Sequence, residues 1–324
     1  MFSSSRLITA SVVSVLLGAT LVGAGPSVQA RVRGDAALRL TPSAASPQTV
    51  ATPITWKVSG GAPGSVYRCS VAPEQAGPFE IVRDFSPTPS FLMAPLAEGQ
   101  YYVRVTVGSG YGATSTRTAN AEFTFAPVSA ALLPAVTTTN DPSVALFSTP
   151  SCSRGQVKIG FALGNSTSLQ YTGSQSCDGK SLNFLVSGML PDQSYNLTWF
   201  LTQGGSTTAQ GQVTYATPAF AQSFVPGSVP AGTGIIVHMM QSLGPPLRVP
   251  VGTLANGAVV WYLTEPDLFY TWPVRMAPDP GSGIGSKIYL FGNDGQNPIG
   301  AGVEPENVFR IVDLAGNPLQ ETNV

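Results

Sequence analysis

The chain has 324 residues, a formal net charge of −1 and 10% charged side chains, against about a quarter in ordinary domains. That length leaves room for two or three domains. The near-neutral balance supplies no basic patch to recruit nucleic acid or an anionic lipid surface.

The first thirty residues read as a targeting segment. Arg6 gives a short positive start, Leu7 to Gly25 is apolar and small, and Val28-Gln29-Ala30 has the small-residue pattern of a cleavage site. Gly, Ser and Thr dilute the apolar run, which argues for cleavage over a retained anchor. With no twin-Arg signal, a Sec-type route to the periplasm or outside is expected, and no membrane contact after cleavage.

Beyond residue 30 no stretch sustains a 3.6-residue apolar period, while Gly 35 and Pro 28 punctuate many short β-branched and aromatic runs. The chain therefore reads as all-β. Residues 31–126 hold the runs Ile54 to Val58, Ser65 to Val71, Phe79 to Phe85, Tyr101 to Val107 and Ala121 to Phe125, separated by Gly/Pro-rich turns. That spacing predicts an immunoglobulin-like sandwich with Trp56 in its core. Cys69, in an alternating run, reads as a buried apolar thiol.

Residues 127–218 predict a second, fibronectin III-like sandwich. Leu190-Pro191 leads through a polar turn to Tyr195 and the alternating strand Asn196 to Phe200, a pattern in which the Tyr hydroxyl returns to backbone at the sandwich corner. Cys152 and Cys177 fall within this module. A disulfide between them suits an oxidising compartment and would contribute about 3–4 kcal/mol by loop closure. The sequons at Asn165 and Asn196 read as coincidental in an exported chain of bacterial character.

Residues 219–324 change character. Ile235 to Met240, Ala258 to Leu263, Lys287 to Gly292 and Val308 to Val312 are apolar strand runs, and Asn256-Gly257 predicts a type I′ hairpin. Short antiparallel strands closing in Asp313-Leu314-Ala315-Gly316-Asn317 suit propeller blades of roughly 40–50 residues, so the segment supplies the first one to two blades of an incomplete β-propeller. The return strand from Leu319 stops at Val324, and an unpaired edge with an uncovered apolar face is expected there.

Three stretches together resemble the bacterial periplasmic arylsulfotransferases. They are Asp141-Pro142-Ser143-Val144-Ala145-Leu146-Phe147-Ser148 with Asn183 to Tyr195, then Leu254 to Tyr262, then Phe309 to Asn317 with Glu321-Thr322-Asn323. The resemblance covers roughly residues 125–324 and implies the N-terminal part of such a protein. It implies a six-bladed propeller in which a histidine attacks the donor sulfuryl group of a phenolic aryl sulfate. Further His and Arg side chains neutralise the sulfate oxygens, and a phenol accepts the group. In that family the histidines follow the Asp-Leu-Ala-Gly-Asn segment, so no catalytic residue is carried over and no cofactor is implied.

His238 is the only histidine. One imidazole cannot serve as nucleophile and as a separate acid/base, and its strand context reads as structural. It excludes a His-rich metal site, and no Gly-x-Ser-x-Gly elbow accompanies it. Gly281 to Ser286 lacks the third glycine and the helix of a dinucleotide loop. Gly292 to Asn297 reads as a turn rather than a calcium loop, and Arg33-Gly34-Asp35 as a chance tripeptide. Arg275 reads as a snorkelling surface residue, and Trp261, Tyr262 and Trp272 as blade core. The competing reading is a secreted or periplasmic β-sandwich protein that binds or adheres without catalysing.

Overall fold

The computed structural model describes residues 37–73, 75, 77–111, 116–128, 133–221, 223–224, 235–241, 248–263, 274–276, 287–293 and 307–324. The targeting segment, the Arg33-Gly34-Asp35 tripeptide, Trp272, the Gly281 to Ser286 loop and Asp294 to Asn297 lie outside these residues. Every regular element among them is a strand, and the fold is all-β.

The first sandwich uses β1 (Arg39–Pro42), β2 (Gln48–Thr49), β3 (Ile54–Ser59), β4 (Val66–Ala72), β5 (Glu80–Ser86), β6 (Ser90–Met93), β7 (Gly99–Gly108) and β8 (Thr116–Ala126). One sheet runs β1-β3-β6, the other β2-β8-β7-β4-β5. Alternation decides which side chains turn inward. Val103, Val105 and Val107 of β7 meet Cys69 and Val71 of β4 in the core. Trp56 is 1% exposed, stacked on Phe91 and edge-on to Phe123. Burying an aromatic of this size contributes on the order of 3 kcal/mol.

The second sandwich uses β9 (Ala135–Thr138), β10 (Ala145–Ser148), β11 (Gln156–Leu163), β12 (Gln170–Tyr171), β13 (Gln175–Ser176), β14 (Asn183–Val186), β15 (Ser194–Gln203) and β16 (Ser206–Ala216). Its sheets run β14-β10-β9 and β12-β11-β15-β16, with β13 also on β11. The two modules thus share one fibronectin III-like plan. In each, a three-stranded sheet faces a larger sheet that contains two long neighbouring strands, β7 and β8 in the first and β15 and β16 in the second. The corner tyrosine is in place: Tyr195 is buried and its hydroxyl oxygen accepts the Leu190 N–H at 2.9 Å. Cys152 and Cys177 form a disulfide at the edge of this core.

The C-terminal region holds two antiparallel meanders. One runs β17 (Ile236–Gln241), β18 (Arg248–Thr253), β19 (Val259–Tyr262); the other β20 (Val274–Met276), β21 (Lys287–Asn293), β22 (Asn307–Asp313), β23 (Pro318–Asn323). Each follows chain order from edge to edge, as propeller blades do. They share a core in which Trp261 and Leu263 meet Ile288, Leu290, Val308 and Val312.

The Asn256-Gly257 hairpin is not the expected type I′ turn. Gly257 has a φ of 84°, and Asn256 is not among the residues with positive φ. Gly257 N–H donates to the Leu254 carbonyl, and Leu254 N–H to that of Ala258. This is a type I turn closed by a left-handed glycine, the three-residue hairpin with a bulge. Asp313 to Asn317 repeats it: Gly316 N–H donates to Asp313, Asp313 N–H to Asn317, and Gly316 has a φ of 79°. Asn256 serves through its side chain, whose Oδ1 accepts the Ala258 N–H.

The expected open edge at the return strand is also absent. The outer side of β23 lies along β5 of the first sandwich. Asp84 N–H donates to Glu321 Oε1 at 3.0 Å, Asn323 N–H to Asp84 Oδ2 at 3.1 Å and Asn323 Nδ2 to the Phe85 carbonyl at 2.8 Å. Glu321 also pairs with Arg310 at 2.6 Å, both nearly sealed from solvent. Asp84 holds Arg68 at 2.6 Å.

Two outcomes follow from these contacts. Arg310→Met leaves Glu321 as a buried unpaired carboxylate and should cost about 3–5 kcal/mol. Arg310→Met with Glu321→Gln should cost distinctly less, because the amide oxygen still accepts the Asp84 N–H; urea unfolding midpoints measure both. Replacing Cys152 and Cys177 by serine should lower stability by about 3 kcal/mol in the same assay.

Candidate functional site

The residues carrying chemistry fall into two places: a buried junction beneath the C-terminal meanders, and a cleft between the two sandwiches.

The junction starts in the turn before β10. Asp141 is 5% exposed, and its Oδ1 accepts both the backbone N–H of Ser143 at 2.8 Å and its hydroxyl at 2.6 Å. The Ser143 hydroxyl oxygen accepts the Tyr262 N–H at 3.4 Å. Next to it Trp261 Nε1 donates to the Leu314 carbonyl at 3.0 Å. Leu314 sits in the turn that Asp313 organises: its Oδ1 accepts the Ala315 and Asn317 N–H groups, and its Oδ2 the Asn317 side-chain amide, each at 2.9 Å. Asp141 to Val144, Trp261-Tyr262 and Asp313 to Asn317 therefore meet here.

Burial pushes both carboxyl groups up, Asp141 to about 6 and Asp313 to about 6, against the hydrogen bonds that oppose it. The charge of Asp313 raises Asp141 further. Burial, assisted by the charge of Asp141, raises the Tyr262 phenol to about 12. Two carboxylates and a phenol in one dry place is an arrangement that active sites use. Here Asp313 is bonded through both oxygens by its own turn and Asp141 through Oδ1 by Ser143, which is the behaviour of a structural clamp.

His238 lies in β17, half-buried, with Nε2 at 3.0 Å from the Thr253 hydroxyl on the paired strand β18. No group of three His, Cys, Asp or Glu side chains among the described residues is placed to hold a metal ion. Arg275 is exposed on β20. Cys69 is 1% exposed in the first core, where burial pushes the thiol well above its ordinary value. Among the described residues no helix is long and apolar enough to cross a membrane. The disulfide suits an extracellular or periplasmic setting.

The cleft was not visible in the sequence. It has a volume of about 380 Å³, within the range of ligand-binding pockets. One wall is the loop Thr49 to Pro53; the other is Thr137 to Asn140, with Leu146 behind it. Among the described residues no ionisable side chain lines it. The sandwiches are pinned nearby, where Ser181 N–H and hydroxyl donate to Glu98 and Asn183 Nδ2 donates to the Leu96 carbonyl.

No family model matches the chain, and no curated protein matches it. Solved structures similar to it include three from chicken. Fibronectin domains FN1–FN3 of CNTN1 align at 13% identity over 55% of this chain and 67% of that one, with a TM-score of 0.23. A two-domain fibronectin type III segment of tenascin aligns at 15% over 56% and 98%, with a TM-score of 0.23. The selenomethionine-substituted interferon gamma receptor alpha chain aligns at 10% over 55% and 98%, with a TM-score of 0.21. The assignment of the sandwiches rests on their own strand order.

The junction generates a pH dependence. Both carboxyls have folded values above the unfolded 3.8. Between about pH 4 and 6 the native state binds more protons, so their contribution falls as pH rises through that window and is lowest above it. Asp141→Asn keeps both Ser143 bonds on one oxygen and removes the charge. It should be at least as stable as the parent at neutral pH. Its melting temperature should climb less between about pH 7.5 and 5, which calorimetry across that range would read.

Proposed function

We propose that this chain acts as an exported, non-enzymatic β-sandwich binding protein. The observation carrying this reading is the pairwise pinning of its parts. Glu98 and Asn183 join the two sandwiches, Glu321 and Asn323 join the first sandwich to the last strand, and Ser143 joins the second sandwich to β19. A scaffold held from three sides keeps the intervening cleft at one width, which lowers the ordering cost of binding.

A second reading is favoured by the convergence at the junction. Asp141 to Val144, Trp261-Tyr262 and Asp313 to Asn317 resemble arylsulfotransferase sequence and pack on one another. On that reading the chain is the N-terminal region of such an enzyme. Its substrates would be a phenolic aryl sulfate and a phenol, with the histidine nucleophile supplied from elsewhere.

Incubating the purified chain with a chromogenic aryl sulfate and a phenol tests the absence of turnover that both readings expect of this chain by itself. The binding reading expects phenol release at the level of the His238→Ala variant and of buffer. Release that depends on His238 would overturn the binding reading and place the nucleophile within this chain rather than elsewhere.

A further inference from the structure

The hydrogen bonds that pin the two sandwiches come from one short stretch of the second. Lys180 Nζ donates to the Glu98 carbonyl at 3.3 Å. Ser181 gives the Glu98 carboxylate two bonds, N–H to Oε1 at 3.3 Å and hydroxyl to Oε2 at 3.1 Å. Asn183 Nδ2 reaches the Leu96 carbonyl at 2.8 Å. Asn183 is held by its own strand, since β14 pairs with β10. Lys180 and Ser181 precede that strand and depend on the turn at Asp178-Gly179-Lys180 for their position.

No apolar side chain anchors that turn. Asp178, Gly179 and Lys180 are exposed, and Asp178 Oδ1 accepts the Lys180 N–H at 2.9 Å. The facing segment fixes it. Cys152 N–H donates to the Lys180 carbonyl at 3.2 Å, the Cys152 carbonyl accepts the Gly179 N–H at 2.8 Å, and Cys177 N–H donates to the Gly155 carbonyl at 3.0 Å. The Cys152–Cys177 disulfide crosslinks the two segments at the base of the turn, and both cysteines are half-buried, within reach of a small reductant. Solvent-exposed backbone bonds are individually weak, so the order of the turn leans on the closed loop. On the receiving side, Glu98 lies in the same loop as Pro95, whose carbonyl accepts the Ala51 N–H of the cleft wall at 2.8 Å. The disulfide, the turn, Glu98 and the cleft wall thus form one continuous run of bonds.

We propose that the Cys152–Cys177 disulfide is a redox-responsive setting for the angle between the sandwiches and hence for the width of the cleft. A dithiol reductant that opens it frees the turn and releases Ser181 from Glu98. A thiolate of the reductant attacks one cysteine sulfur and the S–S bond breaks, giving a mixed disulfide and a cysteine thiolate. The second thiolate of the reductant displaces the mixed disulfide and leaves as a cyclic disulfide; both cysteines end as thiols, with the two protons that the reductant gave up. Glu321 and Asn323 still join the first sandwich to β23, and Ser143 still joins the second to β19. The sandwiches therefore stay linked through the C-terminal meanders, and the change is a hinge opening rather than a separation. It is a property of the scaffold and needs no ligand in the cleft.

Residual dipolar couplings of the isotope-labelled full chain read the relative orientation of the sandwiches. In the oxidised chain the amides of β7, β8, β11 and β15 should fit one alignment tensor. With dithiothreitol present, β7 with β8 and β11 with β15 should each still fit by themselves, while the two pairs need different tensors. Exchange of the Ser181 N–H should speed up about tenfold or more for its lost bond. Glu98→Ala with the disulfide intact should reproduce the two-tensor result, because it removes the acceptors instead of the crosslink. One shared tensor in both redox states overturns the inference, as does one shared tensor in Glu98→Ala. Loss of exchange protection across β11 and β15 on reduction also overturns it, since the disulfide would then hold the sandwich together rather than set its angle. The aryl sulfate assay tests the binding reading separately, and none of these outcomes changes its answer.

Discussion

Glu321 is where the two ends of the described chain are made to agree. Its carboxylate neutralises Arg310 across the β22–β23 hairpin and accepts the N–H of Asp84, far earlier in sequence. A charge this deeply buried is tolerated only with its lone pairs taken up, and here one oxygen faces each obligation. The position of β23 beside β5 follows from that division. A shift of either strand by one residue would turn Glu321 to the wrong face and leave Arg310 without a counter-charge. Few charges are present in this chain, so each buried pair has a large share in fixing register.

The same contact disposes of a sheet edge. β5 ends the five-stranded sheet of the first sandwich and β23 ends the last meander; left open, each would invite pairing with another chain. Side-chain bonds from Glu321 and Asn323 to the Asp84-Phe85 backbone cover both edges. β12, β13 and β2 are protected by brevity, at two residues each. β9, at the edge of its sheet, lies against β16 of the facing sheet.

Much of this was legible in the sequence for reasons that can be named. Tyr101 to Val107 alternates because one face of β7 meets the core and the other meets solvent or polar neighbours. Val157 to Ala162 does not, because β11 packs on both sides. Tyr195 and the cysteine pair announced the second module through local chemistry. Arg310 was also readable, though only with the hairpin in hand. It shares a strand face with Val308 and Val312, and the Asp313 to Asn317 turn sets it opposite Glu321. A lone Arg on an apolar face, with a Glu across the turn, signals a buried pair. Asn256-Gly257 misled because the dipeptide fits two hairpin types, and the choice depends on whether asparagine uses its backbone or its side chain. The pairing of β5 with β23 had no local signature, since Asp84 reads as an ordinary outward polar residue.

The cleft illustrates a deeper limit. Left-handed backbone is usually foretold by glycine or asparagine, yet the residue that takes it at the cleft wall is Ala51, fixed by bonds to Pro95 and by its neighbours to Ala126. Thr49 and Thr52 close the turn locally through backbone and hydroxyl bonds, and the contacts to Pro95 and Ala126 fix it on the surrounding strands. The junction is the opposite case, because its residues are locally sufficient. Asp313 caps its own turn and Asp141 its own, so each turn is specified by residues within it. These residues clamp: Ser143 and Leu314 each take a hydrogen bond from β19, and together they seat the C-terminal meanders on the second sandwich.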